Sequence, residues 1–260
     1  MVEADLPPIE PPRRLHFDWL FPALFRPHAT FAKIAVYEHG AWLTPLLVLT
    51  LLALIRVAVS GPLVINQIQS APLTPPPGFE TWPPQQQEQF YQSQSQAQTI
   101  QSNPVIIYAL PAVGALLGIW IGWLATFGLL HLLLTLLGGR GSTRSAMNIV
   151  AWASLPYAIR EIVRIGYHLV AGQLIAAPGL SGFAPTEGLG LVIGALLQNV
   201  DIYLFWYIFL IVLGVTVSDR VSRFKALGGV LVTIIVLGLL TAAPAALGAM
   251  FFTATSSGSF

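Results

Sequence analysis

Apolar residues gather in five long runs, at about residues 41–60, 105–137, 146–171, 201–217 and 226–250. A helix rises about 1.5 Å per residue, so a run of some 20 residues crosses a hydrocarbon core of roughly 30 Å. The runs predict five membrane-crossing helices. Between Leu15 and His39 the pattern is different. Leu15, Phe17, Trp19, Leu20, Phe21, Leu24, Phe25, Phe31, Ile34, Ala35 and Tyr37 alternate with Arg26, Lys33 and three histidines, and Pro22 and Pro27 divide the stretch. Such an aromatic, mildly basic segment suits a membrane interface. Thr30 is placed to cap a helix running from Phe31 to about His39. Residues 1–14, with four prolines, read as a disordered cytoplasmic tail.

The links between the runs carry their own signals. Gly61-Pro62 is expected to end or bend the first crossing. Residues 61–104 form a Pro/Gln-rich outer loop, extended where proline dominates and open to a polar helix where glutamine does. Gly114, Gly118 and Gly122 recur every four residues on the second run, and Gly238, Ala242 and Ala246 do so on the fifth. Small residues at that spacing let another helix approach closely, within the bundle or between copies. Gly138-Gly139-Arg140-Gly141-Ser142-Thr143 predicts a tight turn. Its backbone N–H groups suit an anion such as a phospholipid head group, although a plain turn explains it too. Ser142 or Thr143 can cap the helix that follows. Pro156 should kink the third run. Residues 172–200 form a second outer loop with Glu187 as its one charge, and its apolar stretch Leu189–Leu197 can dip into the interface. The fold class is therefore all-α: a polytopic membrane protein, a bundle of five transmembrane helices behind an amphipathic N-terminal interfacial segment.

Composition sharpens this. Charged residues make up 9% of the chain and mean hydropathy is +0.72, far from the roughly one-quarter charged residues of soluble domains. A net charge of +1 gives no pull toward nucleic acid. The absence of cysteine removes disulfides, thiolate metal ligands and cysteine nucleophiles. The N-terminal stretch has no cleavable leader pattern, so the crossings themselves are expected to direct insertion.

The placement of cations predicts orientation. Arg13, Arg14, Arg26, Lys33, Arg140, Arg144, Arg220, Arg223 and Lys225 lie outside the apolar runs, and none falls within 61–104 or 172–200. Lys and Arg near a crossing resist translocation. A multi-pass cell-membrane protein with its N-terminus cytoplasmic and its C-terminus outside satisfies every loop.

Three stretches carry a resemblance. Phe25-Arg26-Pro27 with Thr30-Phe31 precedes the first crossing. Gly138-Gly139-Arg140-Gly141-Ser142 is followed by Ala151, Ala153 and Pro156. Asp201, Trp206 and Gly214 lead to Arg223, Lys225 and Ala226. Together with five crossings they resemble the Yip domain family, the Ypt-interacting-protein family, over roughly residues 20–250. The resemblance implies a role without catalysis. Eukaryotic relatives associate with small GTPases and shape secretory membranes, and some prokaryotic relatives act beside ABC-type exporters. The Asp-Leu-Tyr-Gly-Pro-type motif of the eukaryotic members is absent here, so GTPase binding is not carried over. The proline-rich outer loop favours a prokaryotic member.

The densest chemistry lies inside the apolar runs. Arg160, Glu161, Arg164 and His168 crowd the third, with Arg160, Arg164 and His168 four apart on one helix face. Glu161 can pair with Arg164 three residues on. With Arg56 and Asp201 or Glu187 they define a candidate intramembrane polar site, since charge inside a membrane usually faces protein or water. The alternative is that these cations snorkel to the outer interface. His131 is expected to be hydrogen-bonded inside the bundle, and the other histidines lack metal-ligand spacing. Gly179-Leu180-Ser181-Gly182 lacks a neighbouring base for a serine nucleophile.

No catalytic, cofactor-binding or metal-binding residue is therefore assigned. The expected function is a non-enzymatic scaffold or accessory factor for membrane organisation, export or trafficking. Arg26, Lys33, Arg140, Arg144, Arg220, Arg223 and Lys225 are its candidate contacts with anionic lipid head groups or an acidic partner. The expected partners are the bilayer, an ABC-type exporter or other membrane proteins, and a second copy of the chain. The alternative is a small-solute or lipid transporter working through Arg160, Glu161 and Arg164.

Overall fold

The computed structural model describes residues 13–37, 39–72, 74–185 and 189–256, with side chains as far as residue 243. Residues 1–12 of the expected tail, Glu187 and the Ala246 side chain lie outside the described residues. Among the described residues every regular element is helical: α1 (Leu20–Phe25), α2 (Pro27–Val36), α3 (Leu43–Ser70), α4 (Pro84–Gln101), α5 (Leu110–Leu136), α6 (Thr143–Ala153), α7 (Leu155–Ala171), α8 (Leu189–Leu197), α9 (Ile202–Ser218) and α10 (Arg223–Ser256).

Three helical stretches are long and apolar enough to cross a membrane: α3, the stretch Val105–Leu136 that includes α5, and α10 over Arg223–Ala243. The pair α8 and α9, bent by 58°, makes a fourth if it is one broken crossing. By length and composition the helices thus account for three or four of the five expected crossings. The third apolar run is where the two counts part. It splits at Ser154 into two helices of 11 and 17 residues, and the second carries three charges.

Local chemistry explains the boundaries. Pro156 lacks an N–H and disfavours helical geometry in the residue before it, so the run breaks just upstream instead of bending smoothly. The Ser154 hydroxyl donates to the Ala151 carbonyl at the break. Gly61-Pro62 does not end the first crossing, because α3 continues through Pro62 to Ser70. Loss of one helical hydrogen bond at a proline is tolerated where neighbouring groups re-satisfy the backbone. Gly61 is needed for another reason: a Cβ there would overlap the Tyr108 ring. Tyr108 itself lies in a π-helical turn, Val105–Ala109, just ahead of Pro111. Thr30 caps nothing. Helix α2 begins earlier, with Pro27 in its first turn and Thr30 Oγ1 donating to the Arg26 carbonyl.

The described chain divides into two compact units. The first comprises residues 1–47, 123–156 and 202–241. Its core joins α2, α6 and α9. Phe31 and Ile34 from α2, Ile149, Val150 and Trp152 from α6, and Leu210, Ile211 and Val215 from α9 are all buried. Gly214 lets these helices close: a Cβ there would lie 2.8 Å from the Phe31 ring and 2.5 Å from the Ile149 side chain. Polar side chains of α6 clamp the chain before α3. Asn148 Oδ1 accepts from the Ala41 N–H at 2.8 Å and its Nδ2 donates to the His39 carbonyl at 3.1 Å. Trp152 Nε1 donates to the Ala41 carbonyl at 3.0 Å. From the N-terminal segment, Trp19, Ala23, Phe31 and Ile34 are buried in this unit. His16 stacks on Trp19 at 4.0 Å, while Phe17, Phe21 and Phe25, four apart, stay exposed.

The second unit comprises residues 48–122, 157–201 and 242–260. Within it Trp120 Nε1 donates to Thr50 Oγ1, joining α5 to α3. The glutamine-rich part of the outer loop forms α4, and Gln87 Nε2 donates to the carbonyls of Phe79 and Trp82.

Candidate functional site

Two groups of charged residues stand out, one in each unit. In the second unit the sequence places Arg160, Glu161, Arg164 and His168 on α7, Arg56 on α3 and Asp201 just ahead of α9. The structure brings five of these into one ion network around Glu161. Arg56 Nε donates to Glu161 Oε2 at 2.5 Å. Arg164 Nη1 lies 3.5 Å from Glu161 Oε1, and Arg160 Nε lies 4.0 Å from the same oxygen. Arg160 Nη1 reaches Asp201 Oδ2 at 3.4 Å, and its guanidinium lies over the Tyr157 ring at 4.5 Å. The Glu161 side chain is 9% exposed, against 16% for Arg160, 21% for Arg164 and 29% for Arg56. Three guanidinium groups therefore converge on two carboxylates, and the acid at the centre is the most buried member. His168 is buried on the same helix, and its Nδ1 has no hydrogen-bond partner.

In the first unit lie all seven candidate contact cations: Arg26, Lys33, Arg140, Arg144, Arg220, Arg223 and Lys225. Every one is exposed. Lys33 also sits over the Trp19 ring at 5.0 Å. Arg140 lies within the glycine turn and Arg144 directly follows it, and the turn's geometry follows from its sequence. Gly138 adopts φ +91°, a left-handed conformation that glycine enters without cost. It ends α5 with paired bonds from Gly138 N–H to the Thr135 carbonyl and from Gly139 N–H to the Leu134 carbonyl. Ser142 then caps α6 by accepting from the Ser145 N–H at 3.1 Å.

The turn does hold an anion, but that anion is the chain's own Asp219. Gly141 N–H donates to Asp219 Oδ1 at 3.1 Å, and Arg140 N–H donates to the Asp219 carbonyl at 3.2 Å. A side chain at position 141 would strike this carboxylate and force it to move. The lipid-head-group reading of the turn is corrected accordingly: the N–H groups of residues 138–141 are already engaged. Sequence reasoning passed over Asp219. The available signal was a lone acid in a loop otherwise carrying Arg220, Arg223 and Lys225. His131 lies nearby, its Nε2 3.2 Å from Thr143 Oγ1.

Burial pushes the Asp219 carboxyl above the ordinary aspartate range, against the Gly141 hydrogen bond and the field of His131. An acid with a raised folded-state pKa favours folding in its neutral form. That contribution is full below about pH 4 and is lost as pH rises through the raised value. Asp219→Asn keeps an oxygen for Gly141 but never ionises. It is expected to melt about 3 °C above the wild type at pH 8, with the gap closing toward pH 4. A gap that stays constant across this range contradicts the assignment.

The small-residue stripes separate. A Cβ added at Gly114, Gly118 or Gly122 would meet nothing within 4 Å, so that stripe does not provide a close helix contact within the described chain. Ala242 is buried, whereas Gly238 is only partly covered.

A family model for the Yip1 domain matches residues 22–246 of the 260-residue chain. No curated protein and no solved structure matches. The matched span takes in most of α1, all of α2 through α9 and most of α10, with both charged groups and the glycine turn. With its helical fold and its apolar helices of crossing length, the chain is a multi-pass membrane protein that belongs to the Yip1 domain family.

Proposed function

We propose that the protein is a non-enzymatic accessory factor of the plasma membrane that organises export or trafficking machinery through one cationic face. In this reading it crosses five times: α3, the stretch through α5, the broken pair α6 and α7, the bent pair α8 and α9, and α10. The N-terminus is cytoplasmic and the C-terminus outside. Family membership and the loop distribution of Lys and Arg both support it.

One observation carries the proposal. All seven cations of residues 26–33, 140–144 and 220–225 are exposed and belong to a single compact unit. Exposed cations beside crossing helices attract anionic head groups and acidic protein surfaces. The ion network has a different character. Both Glu161 oxygens are engaged, Oε2 by Arg56 and Oε1 by Arg164, which supports a brace between α3 and α7 more than a site carrying protons or substrate.

The partner class that the family suggests is an ABC-type exporter or another integral membrane protein. Quantitative co-purification in mild detergent tests this. Arg140→Glu with Arg144→Glu is expected to remove proteins that the wild type retains, while the variant still inserts and melts normally. The same retained set in both would reject the cationic face as the docking surface.

A further inference from the structure

An apolar groove opens in the first unit where α5 ends and α10 begins. Leu133, Leu136 and Leu137 form one wall, and Phe224, Gly228 and Val232 form the other. These last three recur at four-residue spacing, so they share one helix face. The groove has a volume of about 490 Å³. Glycine creates it: a Cβ at Gly228 would meet nothing within 4 Å. Phe224 and Leu136 are 89% and 75% exposed, so large apolar side chains surround the opening.

The mouth is cationic. Lys225 Nζ donates to the Leu137 carbonyl at 2.9 Å, fixing the ammonium across the two helix ends. Arg140 lies three residues beyond Leu137, and Arg223 directly precedes Phe224; both are exposed. An apolar slot with an ammonium at its rim has the two-part chemistry of a phospholipid with a net negative head group. One acyl chain packs along the slot and the phosphate faces the cations. A zwitterionic lipid offers the same chain, but its own ammonium offsets the phosphate. We infer that this groove holds one anionic phospholipid, with an acyl chain against Gly228 and its phosphate at Lys225. The inference rests on the proposed reading only in placing these helix ends at the membrane surface.

The test uses the detergent-solubilised full chain, with melting followed as phosphatidylglycerol, phosphatidylcholine of the same chains, or inorganic phosphate is added. Phosphatidylglycerol is expected to raise the melting temperature by about 3 °C more than phosphatidylcholine, the scale of a ligand present at a few times its Kd. Inorganic phosphate alone should leave it unchanged. Gly228→Leu fills the slot and is expected to abolish the phosphatidylglycerol increment, and Lys225→Gln to reduce it. Equal effects of the two lipids, an equal effect of free phosphate, or an undiminished increment in Gly228→Leu would overturn the inference. Native mass spectrometry supplies a readout independent of any variant's folding. One retained phosphatidylglycerol per chain is expected. A lipid-free dimer would place a second copy in the groove instead and reject the lipid. Loss of the lipid increment with partner retention intact would reject the groove alone, leaving the cationic-face proposal standing.

Discussion

Glu161→Gln is expected to melt about 10 °C below the wild type in detergent. The exchange preserves shape and volume but leaves Arg56, Arg160 and Arg164 with one carboxylate, Asp201, among them. Removing one partner from a buried ionic group costs roughly 3–5 kcal/mol, because the opposite charges stay desolvated and uncompensated. For a chain of this size each kcal/mol moves the melting temperature by about 2–4 °C. Glu161 is the least exposed member of the network, so solvent screens its loss least. Arg56→Gln should cost less, since it removes a charge from an excess of cations. Combining the two restores the original charge balance, and the double variant is expected to lose less than the sum of the singles. A Glu161→Gln protein melting within about 2 °C of the wild type would mean that these arginines are solvated independently, as snorkelling side chains are.

Trp152→Ala should cost about 4 kcal/mol, within the range for deleting a large buried aromatic. The indole is wholly buried and packs toward Trp19 at a centroid distance of 5.6 Å. Its N–H satisfies the Ala41 carbonyl, the same residue whose N–H Asn148 accepts. The substitution therefore opens a cavity and orphans a carbonyl at the entry to α3. Trp152→Phe separates these effects: it retains most of the volume and loses the bond, so about 1–2 kcal/mol is expected. Urea or thermal unfolding of both variants is the measurement. Equal costs for the two would show that packing contributes little and that the hydrogen bond dominates.

The legible parts of the chain were those written in continuous patterns. Runs of apolar residues located α3, α5, α9 and α10, because a helix in an apolar environment satisfies its own backbone bonds and needs only length and hydropathy. Charges inside such runs were conspicuous for the same reason, which is why Arg56 and Glu161 were singled out although 105 residues separate them. Breaks were harder. Pro62 and Pro156 carry the same local penalty, yet one lies inside a continuous helix and the other follows a break. Only tertiary surroundings decide which, and they leave no periodic trace. Interactions made by single polar residues were invisible for a related reason. Asn148 reads as an ordinary polar residue in a helix until the turn at His39 and Ala41 is placed beside it. Asp219 reads as one more loop charge until Gly141 leaves room for its carboxylate. The glycine turn was recognised, but what it binds depends on a loop 78 residues away.

Orientation underlies every surface assigned here, and the chain is suited to testing it because it has no cysteine. Single-cysteine variants at exposed positions, His28→Cys, Gln92→Cys, Phe183→Cys and Ser222→Cys, can each be treated in intact cells with a membrane-impermeant maleimide. Labelling of Gln92→Cys and Phe183→Cys, with His28→Cys and Ser222→Cys protected until the cells are opened, is the predicted result. Labelling of Ser222→Cys in intact cells would contradict the account, since the cationic face would then lie on the wrong side of the membrane.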